Sequence, residues 1–185
     1  MKRALFLDRD GILNELVYYE SSREWESPRS LADLRMIEGV AEPLQLLANA
    51  GWLLFIVTNQ PSYAKGKTSR EELLEVERTI EAALPITRGY VCLHHPDAVL
   101  EEWRVRCECR KPGTKSLRDA ATEFEVDLTA SWMVGDQDSD LKAGKAAGCK
   151  VALIEHPGSA HKRGEVVPDV VVADLRELAG ILLNA

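Results

Sequence analysis

Long hydrophobic runs, positive charge and cysteine are all scarce in this chain of 185 residues. No stretch approaches the roughly 18 uncharged apolar residues of a membrane-spanning helix. Lysine and arginine number 23 against 30 aspartate and glutamate residues, and the net charge is -7. Such an acidic balance argues against a protein that holds nucleic acid by broad charge attraction. We therefore expect neither a membrane nor a nucleic acid as a partner.

The start of the chain and its four cysteines bear on the compartment. Asp8 interrupts the first apolar run well before the core of a signal peptide is complete, so we expect a cytoplasmic protein. In a reducing compartment, metal binding competes well with a disulfide framework as the use of four cysteines. The length predicts a single domain spanning residues 1–185. No long apolar surface helix demands a partner, so we expect a monomer.

Short apolar segments alternate along the chain with amphipathic ones. The pattern predicts strands at 4–7, 52–57, 89–92, 131–134, 150–154 and 169–172, and helices at 40–50, 69–84, 114–126, 139–148 and 174–183. This alternation predicts an α/β fold, a Rossmann-like, doubly wound parallel sheet with helices on both faces. Residues 15–36 show no clear period, and we expect an irregular flap there.

Polar side chains follow three of the predicted strands. Asp8 and Asp10 follow the first strand, Thr58 and Asn59 follow the second, and Asp136 follows a later one. Because ligands of parallel sheets bind beyond the carboxyl ends of the strands, we expect these side chains to share one crevice. Three carboxylates in such a crevice suit Mg²⁺. Each acidic cluster taken singly is equally consistent with an ordinary turn or helix cap.

Two of the four histidines and three of the four cysteines lie in residues 92–110. The pattern is Cys-x-His-His followed by Cys-x-Cys, formed by Cys92, His94, His95, Cys107 and Cys109. Three thiols and either histidine make four ligands for a structural zinc ion, with no open position for a substrate. Unmetallated buried thiols are the alternative. A zinc loop at about 92–110 would also fix the two cations that follow the last cysteine.

Four segments, in order, resemble the motifs of the haloacid dehalogenase superfamily of phosphatases. They are LFLDRDGILN (5–14), IVTNQ (56–60), CRKPG (109–113) and MVGDQDSD (133–140). The resemblance runs over nearly the whole chain. It implies a Mg²⁺-dependent phosphomonoester hydrolase with an aspartyl-phosphate intermediate. Asp8 would attack phosphorus, and Asp10 would protonate the leaving oxygen and later deprotonate the attacking water.

The same resemblance implies roles for further residues. Magnesium would be bound by the Asp8 carboxylate, the backbone carbonyl of Asp10 and Asp136. Thr58 would hydrogen-bond a phosphoryl oxygen, and Lys111 would stabilise the charge of the transferring group. One further residue, Asp140, would steady that lysine or a metal-bound water. Contacts to the substrate are implied for Asn59, Gln60, Lys65 and Arg110.

The zinc loop narrows the resemblance to one branch of the superfamily. This branch comprises the D-glycero-D-manno-heptose 1,7-bisphosphate phosphatases and the related histidinol-phosphate phosphatases, small proteins without a large cap domain. The resemblance to this branch favours His94 over His95 as the zinc ligand. The chain departs from the branch at Lys65, where the branch has arginine. The expected substrate is the heptose bisphosphate, and histidinol phosphate or another small phosphorylated metabolite is the alternative. A third hypothesis is a catalytically silent, zinc-stabilised phosphate-binding module.

Overall fold

The structure is a computed structural model and describes residues 1–184. Its centre is a six-stranded sheet, flanked by five α-helices, with a separate two-stranded hairpin on one side. The strands are β1 (Ala4–Leu7), β2 (Val17–Tyr19), β3 (Glu24–Glu26), β4 (Leu53–Asn59), β5 (Arg88–Cys92), β6 (Trp132–Gly135), β7 (Lys150–Ile154) and β8 (Val170–Val172). The helices are α1 (Ala41–Asn49), α2 (Arg70–Ala83), α3 (Lys115–Phe124), α4 (Asp138–Ala147) and α5 (Leu175–Leu183).

Every pairing in the six-stranded sheet is parallel, and the strand order is β5-β4-β1-β6-β7-β8. The first strand of the chain therefore lies in the middle, between β4 and β6. Leu7 at its end is level with Ile56 on one neighbour and with Val134 on the other. The segments that leave these three strands consequently emerge side by side. The α/β prediction of a doubly wound parallel sheet is confirmed.

Two apolar layers cover the sheet, and successive residues of β1 face opposite ones. Leu5 and Leu7 pack in the layer that α1, α2 and α5 complete. Phe6 lies in the other layer, which α3 and α4 cover. Both faces are dry, as expected for a parallel sheet, so the chain can expose polar chemistry only at the strand ends. No helix among residues 1–184 is long and apolar enough to cross a membrane.

Capping residues mark the ends of three helices, α2, α4 and α5. The Ser69 side chain accepts a hydrogen bond from the Glu72 backbone N–H, and the Glu72 carboxylate accepts one from the Ser69 N–H, a complete capping box for α2. Asp174 accepts from the Glu177 N–H at the start of α5. Gly148 adopts a φ of +96° and ends α4, a conformation that favours glycine.

The expectation of an irregular flap at 15–36 was wrong for part of the segment. Val17–Tyr19 and Glu24–Glu26 pair as an antiparallel hairpin, with Tyr18 level with Trp25. Their rings lie 5.6 Å apart, the cross-strand aromatic contact that stabilises such pairs. Each strand has three residues, too few to show a periodic pattern in the sequence.

Candidate active site

Three carboxylates converge beyond the carboxyl ends of the central strands. Asp8 follows β1 and Asp136 follows β6, while Asp140 lies in the first turn of α4. All three are buried, and one oxygen from each lies within 4.8 Å of the others. We refer to Asp8, Asp136 and Asp140 as the carboxylate cluster. Two of the three aspartates that the strand-end argument used, Asp8 and Asp136, thus belong to this cluster, and α4 adds Asp140.

Lys111 brings the one ammonium group that touches the carboxylate cluster within the described residues. Its Nζ lies 2.7 Å from Asp8 Oδ1 and 2.7 Å from Asp140 Oδ1, and the residue is 3% exposed. Burial alone would lower the pKa of this lysine. The carboxylates of Asp140 and Asp8 outweigh burial and raise it to about 12, so the amine is charged.

One ammonium does not balance three carboxylates. Burial and the neighbouring Asp8 carboxylate raise the pKa of Asp136 to about 6, and the same two causes raise that of Asp140 to about 8. Asp136 Oδ1 is buried and has no hydrogen-bond partner among residues 1–184. A divalent cation offsets such crowding and uses the free oxygen as a ligand. The donor set, all hard oxygens, fits Mg²⁺.

Gly11 gives the turn after β1 the room that this arrangement needs. Its φ is +85°, and a Cβ built there would lie 2.7 Å from Asp136 Oδ2. A side chain would therefore meet both backbone strain and a carboxylate of the cluster.

Four residues donate hydrogen bonds to the Asp10 carboxylate. Asn14 Nδ2 donates to its Oδ1 over 3.0 Å, and Ser27 Oγ donates to its Oδ2 over 2.8 Å. Arg9 and Gln60 also donate to this carboxylate. Burial alone would raise the pKa of Asp10, but Arg9 and these hydrogen bonds outweigh it and lower the pKa. The carboxyl group still lines the open cavity.

The polar residues at the end of β4 form hydrogen bonds with neighbouring protein groups. Gln60 is 1% exposed, and its amide nitrogen donates to Asp10 Oδ2 and, over 2.8 Å, to Thr58 Oγ1. Asn59 pairs with the backbone of Lys111 in both directions, over 3.0 and 3.1 Å. Both amides thus have partners among neighbouring protein groups, and Asn59 also lines the cavity. The sequence does not indicate these contacts with Asp10 and with the backbone of Lys111.

A second cluster lies at the end of β5 and in the loop that follows. Cys92, Cys107 and Cys109 place their sulfurs 3.1 to 3.5 Å from one another, and His94 Nδ1 lies 3.8 Å from Cys92 Sγ and 3.5 Å from Cys109 Sγ. These four residues are the cysteine–histidine cluster. Tetrahedral zinc with three thiolates and one imidazole spaces its ligand atoms by roughly 3.5–3.8 Å. All three thiols are free, so the chemistry of the donor set fits zinc.

His95 lies outside the cysteine–histidine cluster and lines a cavity instead. A cavity of about 670 Å³ opens onto Asp8, Asp10 and Asp136, and Lys65, His95 and Arg110 line it. We refer to these last three residues as the cationic wall. Burial, Lys67 and Arg110 lower the pKa of Lys65, and burial, Lys65 and Arg110 lower that of His95. Mutual repulsion of this kind is relieved when an anion binds.

The hairpin also lines the cavity, with residues that include Trp25, Glu26 and Ser27. The Trp25 ring packs so closely on Gly158 that a Cβ there would lie 2.9 Å from it. Glu26 accepts from Lys67 Nζ over 2.6 Å, which ties the hairpin to the loop after β4. Ser27 reaches Asp10, as described above. Their short, aperiodic segments carry no sequence signal for these contacts.

The chain is similar in sequence to named relatives over most of their length. The chain is 34% identical to the D-glycero-beta-D-manno-heptose-1,7-bisphosphate 7-phosphatase of Photorhabdus laumondii, over 95% of this chain and 92% of the relative. It is 34% identical to the Haemophilus influenzae protein of the same name, over 98% and 97%. The chain belongs to the heptose-1,7-bisphosphate 7-phosphatase family. This family lies within the HAD-like hydrolases, whose model matches residues 108–178. The chain is therefore a phosphatase of the HAD superfamily, as the four motifs predict.

Solved structures agree with the family assignment. The D,D-heptose 1,7-bisphosphate phosphatase of B. bronchiseptica, crystallised with magnesium and phosphate, superposes with a TM-score of 0.78 over 98% of both chains at 26% identity. A HAD-like phosphatase of Mesorhizobium loti gives a TM-score of 0.79 at 24% identity, which shows the shared fold. The fold of this chain is thus shared with a solved heptose bisphosphate phosphatase.

Proposed function

We propose that this chain hydrolyses one phosphate monoester of a small phosphorylated sugar, D-glycero-D-manno-heptose 1,7-bisphosphate, at the 7-phosphate. The observation that carries the proposal is the contact of Lys111 Nζ with Asp8, beside the unpaired oxygen of Asp136. In support of the proposal, two carboxylates and an ammonium group line one open cavity. Relatives of this name span nearly the whole chain.

Asp8 is the nucleophile in this proposal. One of its oxygens bonds to phosphorus while the bond from phosphorus to the sugar oxygen breaks, and Asp10 gives that oxygen its proton. Water then attacks the phosphoryl group, Asp10 takes the proton of the water, and the bond to Asp8 breaks. Lys111 stabilises the negative charge that spreads over the transferring oxygens. Thr58, buried at the end of β4, would donate a hydrogen bond to a phosphoryl oxygen.

The low pKa of Asp10 suits the second half of this cycle, because an ionised carboxylate accepts a proton from water. The first half needs a protonated Asp10. A phosphate dianion that enters the cavity adds negative charge beside this carboxyl group and raises its proton affinity. Binding of the substrate and protonation of Asp10 are thereby coupled.

Two metal ions complete the proposal. Asp8, Asp136 and the backbone carbonyl of Asp10 would hold Mg²⁺, which lowers the repulsion between nucleophile and phosphate. Cys92, His94, Cys107 and Cys109 would hold a structural Zn²⁺. The adjoining backbone then fixes Arg110 and Lys111 at the cavity.

The cationic wall is the proposed site for the second phosphate of the bisphosphate. Lys65 and Arg110 bring two cations, and His95 adds a hydrogen-bond donor. A monophosphate without a second anionic group leaves this wall without a partner. The protein is proposed to act as a single-domain, cytoplasmic monomer, with no macromolecular partner in the reaction.

A panel of phosphate esters with added Mg²⁺ tests the proposal. We expect heptose 1,7-bisphosphate to give the highest kcat/KM, and Asp8→Asn to abolish phosphate release from every substrate while the fold persists. A higher kcat/KM for histidinol phosphate would transfer the assignment to the alternative substrate. Absence of Mg²⁺-dependent release from the whole panel would leave a phosphate-binding module instead.

A further inference from the structure

A buried ion pair lies beneath the site and has no part in the mechanism above. The Arg9 side chain is 1% exposed, and its Nη1 pairs with the carboxylate of Glu77 on α2. The other edge of the same guanidinium faces Asp10, with Nη2 3.0 Å and Nε 3.2 Å from Asp10 Oδ1. Glu77 is itself only 4% exposed.

Stability does not explain this pair. Its neighbours on the buried face of α2 are Leu73, Val76 and Ile80. An apolar side chain in place of Glu77 would continue that face, and replacing a buried ion pair by well-packed apolar groups is often neutral or stabilising. A charged residue here therefore suggests a role in how the guanidinium is held.

We propose that Glu77 is a positioning residue for Asp10, acting through Arg9. The guanidinium is planar, and a partner on one edge fixes the direction in which the other edge donates. Glu77 thereby directs Nε and Nη2 at Asp10 and orients the carboxyl group towards the leaving oxygen. The inference rests on the proposed function, since it assumes that Asp10 delivers the proton.

The leaving group distinguishes this role from a merely structural one. A sugar oxygen needs a proton as it departs, whereas p-nitrophenolate departs without one. For Glu77→Ala we expect kcat/KM to fall about tenfold with the sugar phosphate and less than twofold with p-nitrophenyl phosphate. Glu77→Gln keeps an acceptor oxygen for Arg9 and should recover most of the loss.

Two further variants keep the test independent of folding. Glu75→Gln removes an exposed carboxylate from the same helix and should leave kcat/KM unchanged with both substrates. The double variant Arg9→Met/Glu77→Leu removes both charges together, so no buried charge loses its partner, and thermal unfolding verifies its fold. This double variant should also lose more kcat/KM with the sugar phosphate than with p-nitrophenyl phosphate.

Equal losses with both substrates, or no loss with either, in a folded variant would overturn the positioning role. Failure of the proposed function has a different signature. In that case the wild-type chain would release no phosphate from either ester, or Asp8→Asn would retain turnover. The two hypotheses are thus separated within one set of assays.

Discussion

The carboxylate cluster and the cysteine–histidine cluster differ in what holds their ligand atoms in place. Asp8, Asp136 and Asp140 are each at most 4% exposed and are fixed by the ends of β1 and β6 and the start of α4. In the second cluster only Cys92 is buried, at the end of a strand. The other three residues of this cluster lie in a loop whose one regular element is the single turn Glu101–Trp103.

This difference separates two ways of building a metal site. The apolar layers of the sheet preorganise the carboxylate cluster, so the proposed Mg²⁺ would be needed for chemistry rather than for folding. The loop after β5 has no comparable core, and the proposed zinc would supply the missing free energy. Lys111 joins the two regions, because it follows Cys109 by two residues and touches Asp8.

Removal of the joining charge should have the largest effect. Lys111→Met leaves Asp8 and Asp140 without their cation, and we expect kcat to fall about a thousandfold, as for loss of a transition-state donor. Steady-state kinetics with the sugar phosphate measures the loss. Lys115→Met, which removes an exposed lysine paired with Asp119, is the matched control and should leave kcat unchanged. A loss of less than tenfold for Lys111→Met would separate the lysine from the chemistry.

Loss of zinc should have the second-largest effect on kcat. It also tests most directly whether the two clusters differ in their need for a metal. We expect Cys109→Ser to lower both zinc content and the Tm, and to reduce kcat on the order of 100-fold because Lys111 is displaced. Withdrawal of Mg²⁺ from the wild-type chain should abolish turnover with little change in the Tm. Metal analysis and thermal unfolding measure these effects.

The control for the zinc variant is Cys149→Ser. This cysteine is a buried thiol outside the cysteine–histidine cluster, so its replacement should leave the zinc content unchanged. Full activity of Cys109→Ser without bound zinc would show that the loop holds Lys111 unaided.

Asn59 tests whether the sheet also helps to hold Lys111. Asn59→Ala removes two hydrogen bonds to the Lys111 backbone, and we expect kcat to fall about tenfold, corresponding to about 1.4 kcal/mol, with the zinc content intact. The exposed Asn49→Ala is the control. An unchanged kcat would assign the positioning of Lys111 to zinc alone.

The smallest effect is expected at the cationic wall, and it depends on pH. Lys65 is charged below its pKa, which burial and the nearby cations Lys67 and Arg110 hold below the usual 10.5. As pH rises, its charge is lost earlier than that of a free lysine, so KM for the bisphosphate should rise, by about fivefold. KM for a monophosphate should rise less. Lys65→Arg should flatten the profile, and equal profiles for both substrates would remove Lys65 from the second-phosphate site.

The sequence predicts most of the fold and the centre of the site, and the reasons are local. Capping residues such as Ser69 and Asp174 mark helix starts, and continuous apolar runs mark the buried strands. Asp8 and Asp136 could be brought together because strand ends meet at one edge of a parallel sheet.

What the sequence does not indicate depends on contacts between distant residues. Nothing near Asn59 shows that its amide pairs with a backbone 52 residues away. Glu77 interrupts an apolar helix face, and only the approach of Arg9 explains it. The hairpin strands pair with each other alone, and three residues are too short for a period.

The nucleophilic role of Asp8 is the central claim, and trapping the phosphoenzyme tests it most directly. Wild-type and Asp10→Asn chains are mixed with Mg²⁺ and p-nitrophenyl phosphate, whose leaving group departs without a proton. The reactions are quenched in acid and digested, and the peptides are analysed by mass spectrometry. The account predicts one added phosphoryl group on Asp8, accumulating in Asp10→Asn because water is no longer activated. A phosphoryl group on any other residue, or turnover with Asp8 unmodified at every quench time, would contradict it.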